Sequence, residues 1–476
     1  MSLFATKPID RIIKEADAEG IITLKRSLGP WSLVALGIGA IIGAGIFVRT
    51  GTAAAEYAGP AVVISFMISG LGCLFAGMCY SELASMIPVS GSAYTYSYAV
   101  LGELPAWIIG WDLVLEYAVA SAVVAVGWSH YVDQLLIDLH LPLATAILHS
   151  PFDSTPGIAN FFAMLVIIVV SLLLISGIQE SSRFNVVIVI LKLAIVLAVI
   201  VLGFHFINWN NYHPFIPPNE GGTRYGWPGI MRAAGVVFFA YIGFDAVSTA
   251  AQEARNPQKD MFIGIIGSLA ICTVLYIAVA FVLTGMVNYK DLRGQGAPVA
   301  FAFEKTSLQW PKLMLDFGVI CGLTSVILVL LLGQSRVFYA MSRDGLLPKI
   351  FSDLHPRFRT PWKTNLLFMV LVALMAGIFP IDVLGDMTSI GTLFAFVIVC
   401  ASVIVLRRTN PSAPRPYRTP FVPLFPIFGI LICGAMMCFL PIDTWIRLVV
   451  WLVLGLVVYF TYSRKRSKLQ HPKSAR

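Results

Sequence analysis

Charged residues are scarce in this chain of 476 residues: Asp, Glu, Lys and Arg make up 12% of it, whereas apolar residues make up 58%. A soluble globule of this length needs more polar surface than that, so a soluble fold is excluded. The mean hydropathy of +0.83 and apolar runs such as 161–175 and 191–201 indicate helices that face lipid as well as one another. We therefore expect an all-α integral membrane protein.

Motifs that carry enzymatic or metal chemistry are also missing. The seven cysteines lie inside apolar stretches without a C-x-x-C pair, which argues against a redox or metal role. No H-E-x-x-H, P-loop or G-x-S-x-G motif occurs. Basic residues are scattered rather than gathered on a face with stacking aromatics. We expect no enzyme activity, no metal, no other cofactor and no nucleic-acid partner.

Apolar stretches of roughly 17 to 25 residues, the length that crosses a bilayer as a helix, occur repeatedly along the chain. The twelve predicted transmembrane helices are 31–56, 59–82, 105–131, 158–178, 183–207, 229–252, 262–287, 312–341, 364–380, 386–406, 423–440 and 444–462. Because the number of spans is even, both termini are expected on the same side of the membrane.

The distribution of Lys and Arg predicts which side that is. Of the 33 basic residues, 24 fall in the tails and one set of alternate loops, and Lys192 lies inside a span. The opposite set of loops holds only eight, namely Arg49, Arg224, Arg232, Lys290, Arg293, Lys305, Lys312 and Arg447. The asymmetry predicts a multi-pass protein of the cell membrane with both termini in the cytoplasm.

Two spans have an unusual interior. The first contains four glycines in the run GIGAIIGAGIF (37–47), and the sixth contains FFAYIGFD (238–245), where Asp245 is suited to capping a restarted helix. Broken helices within a membrane are tolerated where the freed backbone is buried or lines a cavity. Breaks at matching positions of two inverted repeats indicate a substrate site near the midplane. Close helix packing is the alternative explanation for such glycines.

Four stretches resemble the amino acid, polyamine and organocation transporters, in particular the cationic amino-acid transporter branch and its bacterial relatives. They are LGPWSLVALGIGAIIGAGIF (28–47), YSELASMIPVSGSAYTYSY (80–98), FFAYIGFDAVSTAAQEARNP (238–257) and GQSRVFYAMSRDGLLPKIF (333–351). The family usually has proline where this chain has Phe262, which obscures the start of the seventh span. The resemblance implies a five-plus-five inverted-repeat core with two added helices, alternating access, and transport of amino acids or related amines driven by protons or exchange.

The predicted spans and repeats divide the chain into five segments. They are a cytoplasmic N-terminal segment (1–30), a first repeat (31–207), a second repeat (208–406), two further spans (407–462) and a basic cytoplasmic tail (463–476).

An amino acid held within a membrane needs donors for its carboxylate and acceptors for its ammonium group. If the first helix stops near Ile41 and restarts near Gly45, the amides of 43–45 face the carboxylate at the positive end of the second half-helix. The ammonium group then meets carbonyls at the ends of the first half-helices. The predicted substrate-binding residues are Ile41, Gly43, Ala44, Gly45, Phe238, Phe239, Ala240, Ile242 and Glu116. The family motif implies that Phe239 is the aromatic gate.

Two ionisable residues lie deep within predicted spans, where a charge is costly and a functional role is expected. Lys192 lies nine residues beyond Arg183, roughly 14 Å along a helix. Since a buried lysine can lose its proton, and the matching lysine of relatives replaces a sodium ion between helices one and eight, we predict that Lys192 couples protons. A permanently paired lysine is the alternative.

The other buried ionisable residue, Glu116, lies eleven residues beyond Pro105, roughly 17 Å along a helix. It is expected either to tune the pocket or to remain neutral and hydrogen-bonded. Thr324 and Ser325 resemble sodium ligands, but such hydroxyls commonly bond to their own helix.

These features favour proton-coupled transport of L-amino acids, either small neutral ones or a broad range, with membrane lipid as the surroundings. Exchange of cationic amino acids or polyamines is the nearest alternative, because Glu116 offers a partner for a second positive charge. A non-transporting amino-acid sensor is an alternative of another class.

Overall fold

The computed structural model describes residues 3–17, 28–89, 91–141, 144–153, 155–177, 182–306 and 309–471, and within these ranges it contains helices but no strand. In chain order the helices are α1 (Ile9–Asp17), α2 (Pro30–Ile41), α3 (residues 45–58), α4 (Val62–Met86), α5 (Ser92–Val100), α6 (Glu103–Asp138), α7 (Phe161–Ile175), α8 (Ser182–Phe204), α9 (Gly226–Val237), α10 (Ala246–Thr249), α11 (Pro257–Met286), α12 (Pro298–Glu304), α13 (Gln309–Arg343), α14 (Trp362–Ile378), α15 (Ile381–Thr409), α16 (Leu424–Cys438) and α17 (Ile442–Arg466). Parts of the two predicted terminal segments, 18–27 and 472–476, lie outside the described residues.

Eight helical segments in the described part of the chain are long and apolar enough to cross a membrane. They are Gly45–Met86, Glu103–Asp138, Val186–Phe204, Gly226–Thr249, Pro257–Met286, Lys312–Arg343, Ile381–Thr409 and Ile442–Arg466. Four shorter apolar helices, α2, α7, α14 and α16, accompany them. The chain is therefore a multi-pass membrane protein, and the count of twelve spans and the inverted repeat stay predictions.

The first and sixth predicted spans are both interrupted. Residues 42–44 separate α2 from α3, whose first turn is a π turn at Gly45–Arg49. In the second case α9 continues as a 3-10 turn over Phe238–Tyr241, and the helix is then interrupted at Gly243, where φ is +110°. A side chain is strained at that φ, so glycine is required where the chain leaves the helix.

The long helices pack so that the two interruptions lie inside the bundle. α11 packs along α4 and α2, and α13 packs along α6 and α8. The seventh span begins earlier than predicted, because α11 starts at Pro257 and includes Phe262 within its second turn. The ring of Phe262 stacks on Tyr417, with the ring centroids 4.4 Å apart.

Both ends of the described chain pack on the same end of the bundle, at two acidic residues. Near the N-terminus, Lys7 Nζ lies 2.7 Å from Asp344 Oδ1, and near the C-terminus the amide of Lys468 donates to the Asp344 carbonyl. The second acidic residue is the fully buried Glu103 at the start of α6. Its carboxylate accepts hydrogen bonds from the side chains of Tyr98, Tyr459, Ser467 and Gln470. These contacts fix both tails to α5, α6 and the end of α13.

Candidate functional site

The two helix interruptions contact each other through their backbones. A Cβ atom added to Gly45 would lie 2.1 Å from the Cα atom of Ala240, and one added to Gly243 would lie 2.9 Å from the carbonyl oxygen of Ala40. A Cβ on Gly43 would only reach the side chain of Val326, at 3.4 Å. The structure thus brings the predicted residues at 43–45 and 238–242 together, and Gly45 and Gly243 are the positions of closest approach.

The carbonyl ends of the two first half-helices share one hydroxyl donor. Tyr276 Oη of α11 lies 2.8 Å from the Ile41 oxygen and 3.0 Å from the Ala240 oxygen. A phenol has one proton and can satisfy only one of these carbonyls at a time. Acceptor capacity therefore remains for a second donor, such as an ammonium group. Nothing in the sequence around Tyr276 distinguishes it from an ordinary aromatic of an apolar span.

The amides expected to bind a carboxylate lie between α2 and α3. Ile42 ends α2 by donating its amide to Ile38, and Ala44 is the residue that immediately precedes the π turn. The first amides of a helix lack partners within that helix. The segment from Gly43 to Gly45 is fully buried, so these amides face the protein interior rather than solvent.

The aromatic residues before the second interruption differ in their surroundings. Phe238 packs edge-to-face on Phe396 of α15, with centroids 5.5 Å apart, which is a packing contact. Phe239 is 5% exposed, and its carbonyl accepts the amide of Ile242. The gate role of Phe239 and the substrate contacts of Phe238 and Ile242 stay predictions.

Lys192 of α8 reaches the first interruption from the side. Its Nζ atom donates to the carbonyl oxygen of Gly39 at 2.6 Å, and the residue is 1% exposed. A Cβ on Gly322 of α13 would lie 3.2 Å from the lysine Cγ atom. The side chain therefore lies between α2 and α13, which is the location that the family resemblance implies. Its acceptor, Gly39, lies two residues before the end of α2.

Glu116 and Asp245 form a buried acidic pair beside the second interruption. Neither oxygen of Glu116 has a donor with ordinary hydrogen-bond geometry in the described part of the chain, and its carboxyl interacts with that of Asp245. The expected capping role of Asp245 is wrong, since its side chain makes no cap hydrogen bond and accepts from the Tyr117 hydroxyl instead. Its backbone is helical, with φ −67° and ψ −24°, whereas a capping side chain needs extended backbone.

Two arginines that the sequence assigns to the outer side of the membrane are buried. Arg49 of α3 and Arg232 of α9 are 1% and 3% exposed. Arg49 pairs with Asp382 and lies 3.0 Å from Asp386, while Arg232 lies 2.5 Å from the other Asp386 oxygen. These four residues, here called the ionic network, connect α3 and α9 to α15. The sequence did not predict these ion pairs, because the carboxylate partners lie more than 150 positions away in the sequence.

At the opposite ends of the interrupted helices, backbone bonds join α2 to the segment after α10. The amide of Leu28 donates to the Glu253 carbonyl at 3.0 Å, and the amide of Arg255 donates to the Leu28 carbonyl at 2.9 Å. Glu253 also lies 3.6 Å from Arg336 of α13. This backbone clamp and the ionic network lie on either side of the interruptions.

Sequence comparison finds relatives along nearly the whole chain. A family model described as amino acid permease matches residues 28–459. The methylthioribose transporter of Bacillus subtilis (strain 168) is 44% identical over 468 residues, covering 98% of this chain and 99% of the relative. The branched-chain amino acid permease BcaP of the same organism is 45% identical over 470 residues, with coverages of 98% and 99%. The vacuolar cationic amino acid transporter 4 of Arabidopsis thaliana is 37% identical over 417 residues, covering 86% of this chain and 68% of the relative. The chain therefore belongs to the amino acid permease family, within the amino acid, polyamine and organocation superfamily.

Proposed function

We propose that this protein is a proton-coupled secondary transporter of L-amino acids that works by alternating access. The observation that carries the proposal is the meeting of two helix interruptions, at which Tyr276 already bridges the carbonyls of Ile41 and Ala240. The substrate ammonium group binds these carbonyls, and the substrate carboxylate binds the amides of Gly43, Ala44 and Gly45. The backbone contacts only the carboxylate and ammonium groups, which all amino acids share. The residues of the surrounding pocket therefore determine which substrate side chain is accepted.

Lys192 carries the coupled proton in this proposal. Its ammonium group donates to the Gly39 carbonyl in α2, so gain or loss of its proton changes a hydrogen bond two residues from the substrate site. A permanently charged buried group would be costly at this depth. Protonation from one side and release to the other would therefore be linked to movement of α2.

Alternating access requires one barrier on each side of the substrate. The ionic network holds the outer halves α3 and α9 against α15, and the backbone clamp holds α2 near Glu253. We propose that the two barriers open in turn. In this proposal the protein spans a cell membrane twelve times, with both tails in the cytoplasm. Both chain ends contact Asp344, which supports their location on the same side of the membrane.

The proposal is tested by uptake into proteoliposomes with and without an inward pH gradient. The panel contains L-alanine, L-leucine, L-arginine and methylthioribose, the last because one relative is named for it. We expect accumulation of neutral amino acids that depends on the pH gradient. Binding of amino acids without any uptake would instead favour a non-transporting amino-acid sensor.

Exchange of cationic amino acids is a second candidate function. In the part of the chain that the structure describes, the buried carboxyl groups of Glu116 and Asp245 form no ion pair with a basic side chain, so they offer a partner for a second positive charge. Counterflow of L-arginine without a pH gradient, lost in Glu116→Gln while L-alanine counterflow persists, would favour this alternative.

Transport is expected to need no sodium. Lys192 places a cationic side chain between α2 and α13. The hydroxyls of Thr324 and Ser325 donate to carbonyls of their own helix, at Ile320 and Gly322, with distances of 2.8 and 3.0 Å. This confirms the expectation that these hydroxyls bond within their own helix. Replacing external sodium with choline should leave the initial uptake rate unchanged. A strong sodium requirement would contradict the assignment of Lys192.

Removing the central carboxylate of the ionic network should destabilise the protein. Asp386→Asn leaves two buried guanidinium groups, those of Arg49 and Arg232, short of a counter-charge, which costs about 3–5 kcal/mol when a buried pair is broken. The matched control is Asp353→Asn, because Asp353 pairs with Lys363 at the surface, where a pair contributes about 0–1 kcal/mol. Thermal unfolding in detergent should show a clear decrease in Tm for the first variant alone. Equal melting temperatures would show that the network contributes little to stability.

A further inference from the structure

Tyr131, in the outer part of α6, binds the half-helix that follows the first interruption. Its hydroxyl donates to the carbonyl oxygen of Phe47 at 2.8 Å, and its ring packs edge-to-face on the Phe47 ring with centroids 6.4 Å apart. Tyr131 is fully buried. Phe47 lies two residues after Gly45, in the π turn that begins α3, so this hydrogen bond holds the turn that presents the proposed carboxylate-binding amides.

The Tyr131 side chain also lies against the short helix α12. Its oxygen lies near the backbone amides of Val299 and Ala300, in the first turn of α12. Amides in the first turn of a helix lack partners within the helix, and a hydroxyl can donate one hydrogen bond and accept two. The Tyr131 hydroxyl therefore lies between the Phe47 carbonyl of α3 and the first turn of α12.

A direct packing contact joins α12 to α3 at a second point. A Cβ added to Gly51 of α3 would lie 2.5 Å from Cβ of Pro298, the first residue of α12. Movement of α12 is therefore transmitted to α3 through this contact.

We propose that Tyr131 is a positioning residue for transport, which sets the orientation of the amides at Gly43 to Gly45 and couples them to α12. The inference rests on the proposed function, because it assumes that those amides bind the substrate carboxylate. In this role Tyr131 touches no substrate and acts through α3.

The test is Tyr131→Phe, which keeps the ring and removes only the hydroxyl. The variant leaves the Phe47 carbonyl without its donor, and a change of about 1.4 kcal/mol corresponds to tenfold in affinity. We expect the Kd for L-leucine or L-alanine, measured with the purified full-length protein, to rise about tenfold. The maximal counterflow rate at saturating substrate should change little, since the transport groups themselves are intact.

Tyr212→Phe is the matched control, because the Tyr212 hydroxyl also donates to a carbonyl, that of Phe281 at 2.7 Å, but away from α3. Its Kd should equal that of the parent. Gly51→Ala tests the coupling separately, since it forces Pro298 away from α3 and should also raise the Kd. A raised Kd in Tyr131→Phe but not in Gly51→Ala would overturn the coupling to α12.

An unchanged Kd in Tyr131→Phe, with or without a lower Tm, would make Tyr131 purely structural and overturn the inference. Gly45→Ala distinguishes this failure from failure of the proposed function. If Gly45→Ala loses binding while Tyr131→Phe retains it, only the present inference fails. If the parent protein binds no amino acid, or Gly45→Ala binds normally, the proposed function fails and the inference with it.

Discussion

Replacing Gly45 with alanine is expected to abolish amino-acid binding, whereas the same replacement at Gly43 should be tolerated. The new methyl group at Gly45 would lie 2.1 Å from Cα and 2.7 Å from the amide nitrogen of Ala240. Backbone atoms inside a packed helix pair cannot move aside as a flexible side chain can. The two interruptions must separate, and both the amides and the carbonyls proposed to hold the substrate are then displaced. Losing two hydrogen bonds to a charged group, at about 1.5–3 kcal/mol each, lowers affinity by about a hundredfold or more.

Gly43→Ala is the matched control, because its added methyl group would lie 3.4 Å from Val326, an ordinary packing distance. Both variants are purified, checked for a single folded species by size exclusion, and titrated with L-leucine and L-alanine. Expected results are a Kd close to that of the parent for Gly43→Ala and no measurable binding for Gly45→Ala. Normal affinity in Gly45→Ala would mean that the substrate site lies elsewhere in the bundle.

Lys192→Gln should lose accumulation driven by a pH gradient while keeping substrate exchange. The amide of glutamine can still donate to a carbonyl such as that of Gly39, but it cannot gain or lose a proton in the accessible pH range. The substitution therefore separates hydrogen bonding at α2 from proton transfer. Lys192→Arg should fail in the same assay for the opposite reason, because a guanidinium group stays charged and cannot release its proton.

The measurement compares two fluxes in the same proteoliposomes. Accumulation on an inward pH gradient should fall to background in both Lys192 variants, whereas counterflow of labelled against unlabelled L-leucine should persist in Lys192→Gln. The control is Lys290→Gln, which removes an exposed lysine and should change neither flux. Accumulation by Lys192→Gln at the parental level would make this lysine structural and transfer the coupling role to another group.

Local backbone chemistry allowed the sequence to predict the helix interruptions well. The sequence predicts a stop near Ile41 and a restart near Gly45, and α2 ends at Ile41 while the next half begins at Gly45. The glycines made the interruption predictable because glycine tolerates the backbone conformations that end a helix. Gly243, with its φ of +110°, marks the second interruption for the same reason.

Contacts between distant residues could not be predicted in this way. Hydropathy places Arg49 near the end of the predicted span 31–56 and Arg232 near the start of the predicted span 229–252, and it gives no information on whether either guanidinium group is solvated or paired. Their burial depends on the ion pairs with Asp386. Helical periodicity gives no information on which helices become neighbours. Tyr276 was missed for a similar reason, since its importance comes from two carbonyls that belong to other helices. Hydropathy depends on the thickness of the bilayer rather than on where a helix ends. α11 therefore starts before the predicted residue 262, and α13 extends beyond both ends of the predicted 312–341.

The carboxylate of Glu103 imposes an order on biosynthesis. Of the four side chains that bind it, only Tyr98 is made by the ribosome before it, while Tyr459, Ser467 and Gln470 are added more than 350 residues later. During most of translation this acid therefore lacks three of its donors, and burying it without them would be costly. The end of the bundle that holds both tails can close only after the last helix has been inserted. A nascent chain that stalls or is truncated before Tyr459 would leave this end open and exposed to proteolytic quality control.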